Sequence, residues 1–310
     1  MSDLVGSGAE APGNAPEKRN HFTAWFGKSS PLGVISRTPG GAFSLAVLTV
    51  YLLVAVFAPL VAPYGPFDIV RDAGGHVVRL SPPSLANWFG TTNWGMDVLS
   101  QVIWGTRVAL LVGLISAVAS AFFGTAVGLV AGYFGGLIDD ILMRATDIAF
   151  ALPFLPFAMV VISMARPSLG LVIALIVAFM WRMTARVIRA QVLSLRTRTF
   201  VRAAKASGAS PFRIVVRHIL PNVLPLSFLY VAVGVQSGVM LEAALSFLGF
   251  GDPNQQSWGY ILNAAFKAGA MRTAWWWVLP PSIALALLVT SVFMITRAYE
   301  EELNPRLRME

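Results

Sequence analysis

The 310 residues are 56% hydrophobic and only 12% charged, with no cysteine, a formal net charge of +8 and a mean hydropathy of +0.69. Soluble domains are about 25% charged, so this composition describes a polytopic membrane protein, and the missing cysteines exclude disulfides and thiolate metal sites. His21, His76 and His218 are too scattered for a ligand set, and the basic excess lies beside apolar runs, which fits membrane topology rather than nucleic acid.

Residues 1–40 are rich in Gly, Ala, Pro, Ser and charge without a hydrophobic period, and read as a mostly disordered cytoplasmic tail. Lys18, Arg19, Lys28 and Arg37 agree with that side. The apolar run 41–62 is long enough to cross a hydrocarbon core of about 30 Å. It starts too late for a cleavable signal peptide and is taken as a retained first span. Residues 63–105 hold Asp68, Arg71, Asp72, Arg79 and Asp97 among Pro, Gly and Trp, lack a basic excess, and are assigned outside.

From Val108 to Ile138 there is no charge, so span two and a tight turn at Gly135 and Gly136 are expected there. Gly124, Gly128 and Gly132 recur every four residues on one helical face, a close-packing face against another span or a partner subunit. Span three covers 137–165, where Pro153 and Pro156 predict a kink supported by neighbouring helices. Span four runs from Ser168 to Ile188, delivering Arg182, Arg186 and Arg189 to the inner surface. Span five runs from Ile219 to Glu242, and residues 246–273 suggest an outer loop or a short returning segment. Trp275, Trp276 and Trp277 are expected to anchor span six at the interface, running inward to Thr296. The expected architecture is all-α, with six transmembrane helices, a five-helix core over 106–297, a cytoplasmic tail over 298–310 and both termini inside.

Enzymatic signatures are missing. Gly27-Lys28-Ser29 mimics the end of a phosphate-binding loop, but Phe22 stands where its first glycine belongs. Neither a nucleophile elbow nor a His-Glu-x-x-His helix occurs. No catalytic residue, cofactor or metal site is expected, and a membrane-embedded enzyme has little support. Asp140, Arg144 and Asp147 share a helical face, as an interfacial ion-pair network or a coupling or gating group. Glu242, at the expected end of an apolar span, reads equally as a structural cap or part of a translocation path.

The densest signal is the run from Arg182 to His218, with nine Lys and Arg residues and no Asp or Glu. Within its loop, 190–220, residues Ala203 to Pro221 read as a helix, a glycine turn at Gly208 and a second helix ending in proline. Ser210 and Pro211 suit the N-cap and first helical position. The expected result is a short helix set across the membrane helices, displaying Arg213, Arg217 and His218. A docking element accounts for the turn and caps; a basic loop held by anionic lipid would need neither.

These residues resemble the inner-membrane permease subunits of ATP-binding-cassette importers, specifically the C-type subunit of dipeptide, oligopeptide and nickel systems. Ala203, Ala204, Gly208, Ile219, Leu220 and Pro221 match the family's EAA loop, whereas Arg202 replaces its glutamate. FGTTNWGMDVLSQVIWGTRVALLVG, GGLIDDILMRATDIAFALP, LEAALSFLGFG, Ser257-Trp258-Gly259 and the closing NPRLR also look like the family. Thr92 and Met96 replace its usual acid and arginine.

The resemblance implies a type I importer permease (MetI-like) fold. It also implies a second permease subunit in a heterodimer, two cytoplasmic ATP-binding subunits, and an extracytoplasmic substrate-binding protein, with the lipid bilayer around the complex. The coupling residues would be Arg202, Ala203, Ala204, Gly208, Ser210, Pro211, Arg213 and Arg217, and the cargo peptides or a similar small solute. A secondary transporter or channel independent of an ATPase is the alternative; it would be marked by inverted repeats or broken helices with intramembrane charge.

Overall fold

A computed structural model of the chain describes residues 39–303. The expected tail over residues 1–38 and the NPRLR ending lie outside them.

The described chain is helical, with three isolated antiparallel bridges in the segment after the first helix. Helix α1 (Pro39–Val61) is the expected first span. A non-helical stretch then leads to α2 (Val98–Phe134), whose 37 residues reach about 55 Å, well beyond a hydrocarbon core. It begins ten residues before the charge-free run because Asp97 caps it: one carboxylate oxygen accepts from the Ser100 amide at 2.8 Å, the other from Asn87 Nδ2 at 3.0 Å.

The turn at Gly135 and Gly136 forms as expected, both with positive φ (69° and 54°), and leads into α3 (Gly136–Ala151). The expected kink in span three is a break. Helix α4 (Phe154–Met164) departs at 86° from α3, with Leu152 extended and Pro153 as the N-cap. A residue before proline is pushed out of the helical region, so Leu152 ends α3.

Helix α5 (Leu169–Leu195) runs one to two turns past Ile188. Short helices α6 (Thr199–Ala206) and α7 (Pro211–Ile214) follow, then a π-helical turn at Val215–Ile219 and α8 (Leu220–Phe247). The segment expected as an outer loop or short returning piece holds a ten-residue helix, α9 (Trp258–Lys267), packed on α8 and α10, and α10 (Trp275–Leu303) is the last span. Among the described residues, five helical stretches are each long and apolar enough to span a membrane, and the bent pair α3–α4 makes six if it counts as one span.

Helix α2 is the central post, packing most extensively on α5 and then on α8. The glycine stripe explains the first contact. A β-carbon at Gly128 would come within 2.6 Å of the Ala185 carbonyl oxygen, and one at Gly132 within 2.8 Å of Val192 Cβ. The expected close-packing face is therefore turned to another span of the same chain.

Three apolar clusters run along the bundle. Val98, Val239, Trp258, Ile261, Trp277 and Leu288 join α2, α8, α9 and α10 near the start of α2. Val112, Ile162, Ile176 and Leu245 form the middle. Leu129, Ile188, Val192, Val201, Ile214 and Val223 close the basic end. Trp277 is 1% exposed, so only Trp275 of the triplet has the exposure of an interfacial anchor; Trp276 donates to the Thr91 carbonyl at 3.3 Å.

Candidate functional site

The basic end carries the helix–turn–helix expected around Gly208. Helix α6 ends in a Schellman closure: the Ala209 amide bonds the Ala204 carbonyl at 3.1 Å, and the Gly208 amide bonds that of Lys205 at 3.0 Å. That closure requires a left-handed residue, and Gly208 has φ 76°. Ser210 then caps α7 by accepting from the Arg213 amide at 3.4 Å, with Pro211 in the first position.

The second helix does not stop at Pro221; it passes through the π turn into α8 as one helical length. Pro221 directly follows the π turn, where the Leu220 amide bonds the Val215 carbonyl, so the ladder is already shifted at the proline. The extra residue of a π turn is a frequent mark of functional helices. Of the two short helices, only α6 is separate from the spans.

Both short helices are wedged into the bundle by a single apolar side chain each. Val201 of α6 and Ile214 of α7 are fully buried against Leu129, Ile188, Val192 and Val223. Arg202, Ala203, Gly208, Ser210, Pro211, Arg213 and Arg217 are exposed, and Ala204 is half-buried. Between them stand two aromatic rings that the sequence did not single out, Phe200 and Phe212, the latter 77% exposed. An exposed aromatic beside arginines is the composition of an interface centre.

The arginines of α5 bind helix to helix. Arg182 donates to the Ala149 carbonyl at 2.9 Å and lies over the Phe150 ring, while Arg186 pairs with Asp147 at 2.7 Å. Arg189 grips Asp139 in a two-pronged pair at 2.5 and 2.6 Å. Arg196 reaches the Gly132 carbonyl near the end of α2, at 3.1 Å. The expected Asp140–Arg144–Asp147 network does not form: Asp147 is taken by Arg186, and Asp140 and Arg144 are exposed without an ion pair among the described residues. Spacing along one helix could not reveal partners on α5.

Glu242 lies more than a turn inside α8, not at its end, and is 3% exposed. Ser246 Oγ donates to it at 2.6 Å, and the hydroxyl of Ser257, the N-cap of α9, bonds it too. Ser257 also accepts from the Tyr260 amide at 3.2 Å. The carboxylate thus ties α8 to the start of α9. No group of three or more potential metal ligands occurs among the described residues.

Comparison with known proteins gives the family and the fold. Residues 124–309 match the family model described as binding-protein-dependent transport system inner membrane component, and residues 35–83 match the N-terminal transmembrane domain of oligopeptide transport permease C. The dipeptide transport system permease protein DppC of Alkalihalophilus pseudofirmus is 30% identical over 95% of each chain. Its Bacillus subtilis namesake is 31% identical over 85% of this chain and 81% of its own. A solved structure of the MetNI methionine ABC transporter, inward facing, superposes with a TM-score of 0.50 at 21% identity. It covers 65% of this chain and 94% of its own, a likeness of fold. With helices, motif and near full-length relatives in agreement, the chain belongs to the binding-protein-dependent transport system inner membrane component family, the permease subunits of ABC importers.

Proposed function

We propose that this permease carries peptides, as one of two different permease subunits served by two cytoplasmic ATP-binding subunits and an extracytoplasmic substrate-binding protein. It sits in the bacterial or archaeal cell membrane with both termini in the cytoplasm. The peptide assignment is supported by the names of relatives that are 30% and 31% identical; the orientation rests on the basic run from Arg182 to Arg217.

The observation that carries the coupling is the construction of α6–α7. An ATPase meeting Phe200, Arg202, Phe212 and Arg213 would push on helices whose inner sides, Val201 and Ile214, are set among residues of α2, α5 and α8. A nucleotide-driven shift is then passed to three spans at once. Ala203 and Ala204 keep the exposed side of α6 low enough for close approach, while Gly208, Ser210 and Pro211 fix the angle. Arg217 extends the basic surface. Arg202 in place of the family's glutamate calls for an acidic contact on the ATPase.

Glu242 is best read as a structural tie, because its bonds run to Ser246 and Ser257. Asp140 and Arg144 are open to a partner at the end of α3. The broken α3–α4 is a trait shared with secondary transporters, but such a carrier has no use for the capped element at Gly208. Purification in mild detergent tests the reading. Recovery of a second permease and an ATPase is expected; a chain that transports without either is not this protein.

A further inference from the structure

At the opposite end from the coupling element lies a cavity of about 360 Å³ between the third turn of α2 and the loop leading to α9. Its walls include Trp104, Arg107, Leu169, Asn254, Gln255 and Gln256. Arg107 is the one charged residue on that wall among the described residues, and it has no ion-pair partner there. The nearby loop acid, Asp252, is already engaged: its carboxylate accepts from the Leu169 amide at 3.0 Å and the Asn254 amide at 2.9 Å. Arg107 is exposed, so its guanidinium is open to a group from outside the chain.

Gln256 supplies the second half. It is 3% exposed, yet neither its amide nitrogen nor its carbonyl oxygen has a partner among the described residues. A buried amide left unbonded costs about 1–3 kcal/mol per group, so a group in the cavity that both donates and accepts would be favoured there. Gln256 also walls a second cavity of about 220 Å³, where Gln101 Oε1 and Trp277 Nε1 are likewise unpartnered. Among the described residues, no charged side chain lines that second space. In sequence along the two cavities stand a cation, then a donor–acceptor amide, then an acceptor and a donor on neutral walls. The Trp104 N–H is spent on the Tyr64 carbonyl at 3.2 Å, leaving its indole as an apolar flank.

We infer that Arg107 and Gln256 form a subsite for the carboxyl end of a peptide, with the carboxylate on the Arg107 guanidinium and the preceding amide on Gln256. The assignment rests on the peptide reading above. An acidic side chain of the delivering protein offers the same carboxylate, so the test separates the two sources. The full complex, with its binding protein and ATPases, is reconstituted in proteoliposomes, and uptake is measured for a peptide with a free carboxyl terminus and for its C-terminal amide. Comparing this ratio between wild type and variant cancels everything common to both complexes, including the binding protein's own preference.

Arg107→Gln is expected to lower the acid-to-amide ratio about ten-fold, the scale of one charge-assisted hydrogen-bonded contact, with uptake of the amide near wild type. Arg107→Lys keeps the charge without the planar fork and should fall between. It decides the matter should the glutamine variant fail to assemble, since an unchanged ratio in the lysine variant overturns the assignment. Equal loss for both peptides with weakened binding-protein docking would also overturn it, placing the carboxylate on the protein partner. If wild-type complex took up neither peptide, the peptide reading itself would fall, and this subsite with it.

Discussion

Replacing Gly208 isolates the turn of the coupling element from its packing. A β-carbon there meets none of the described residues within 4 Å, so no clash contributes, and the whole effect comes from φ 76°. A left-handed conformation costs an ordinary residue about 1–2 kcal/mol, a factor of roughly 5–30 in the local equilibrium between formed and opened turn. Opening the turn releases the Schellman bonds to Ala204 and Lys205 and lets α6 and α7 swing apart. Gly208→Ala should therefore weaken recruitment of the ATPase by up to that factor, while insertion and pairing with the second permease persist. Gly208→Asn is the control, because asparagine tolerates the left-handed region, and it should recover most of the affinity. The assay is titration of purified ATPase onto the permease pair in nanodiscs. Equal affinities for Gly, Ala and Asn would refute the argument, as would an equal loss in Ala and Asn, which would mean that the side chain itself obstructs docking.

Two further variants probe the spans. Asp139→Asn removes the charge from the two-pronged Arg189 pair and should cost about 1.5–3 kcal/mol, read as a lower unfolding midpoint in detergent; an unchanged midpoint would show the pair to be idle. Glu242→Gln preserves an oxygen able to accept from Ser246 and Ser257, so transport should stay within about two-fold of wild type under a structural role. Loss of transport in a stably assembled Glu242→Gln variant would return Glu242 to the translocation path.

The spans were legible because a membrane imposes one length on every apolar helix, and the glycine stripe because small residues every four positions have few other uses. Gly208, Ser210 and Pro211 carried their meaning locally, since turn and cap chemistry acts over a few residues. What the sequence concealed was long-range. Asp147 faced Arg144 on paper, but α5 supplied Arg186 instead. The beginning of α2 was hidden by a polar first turn whose cap, Asp97, is held by Asn87 across the outer loop. Pro153 signalled a bend without its size, because neighbouring helices decide whether proline kinks a span or ends it. Phe212 and Arg107 lay inside stretches that stood out, but nothing marked them individually: an aromatic and an arginine in a membrane protein matter only once their exposure and partners are known.

The chain contains no cysteine, which allows the coupling surface to be tested by a single introduced thiol. In membranes holding the whole complex, Phe212→Cys should cross-link through a short bifunctional reagent to the ATP-binding subunit, with a yield that changes between nucleotide-free and ATP-bound states. Cross-links that form only to the second permease, or none in either state, would contradict the assignment of α6 and α7 as the ATPase-facing element.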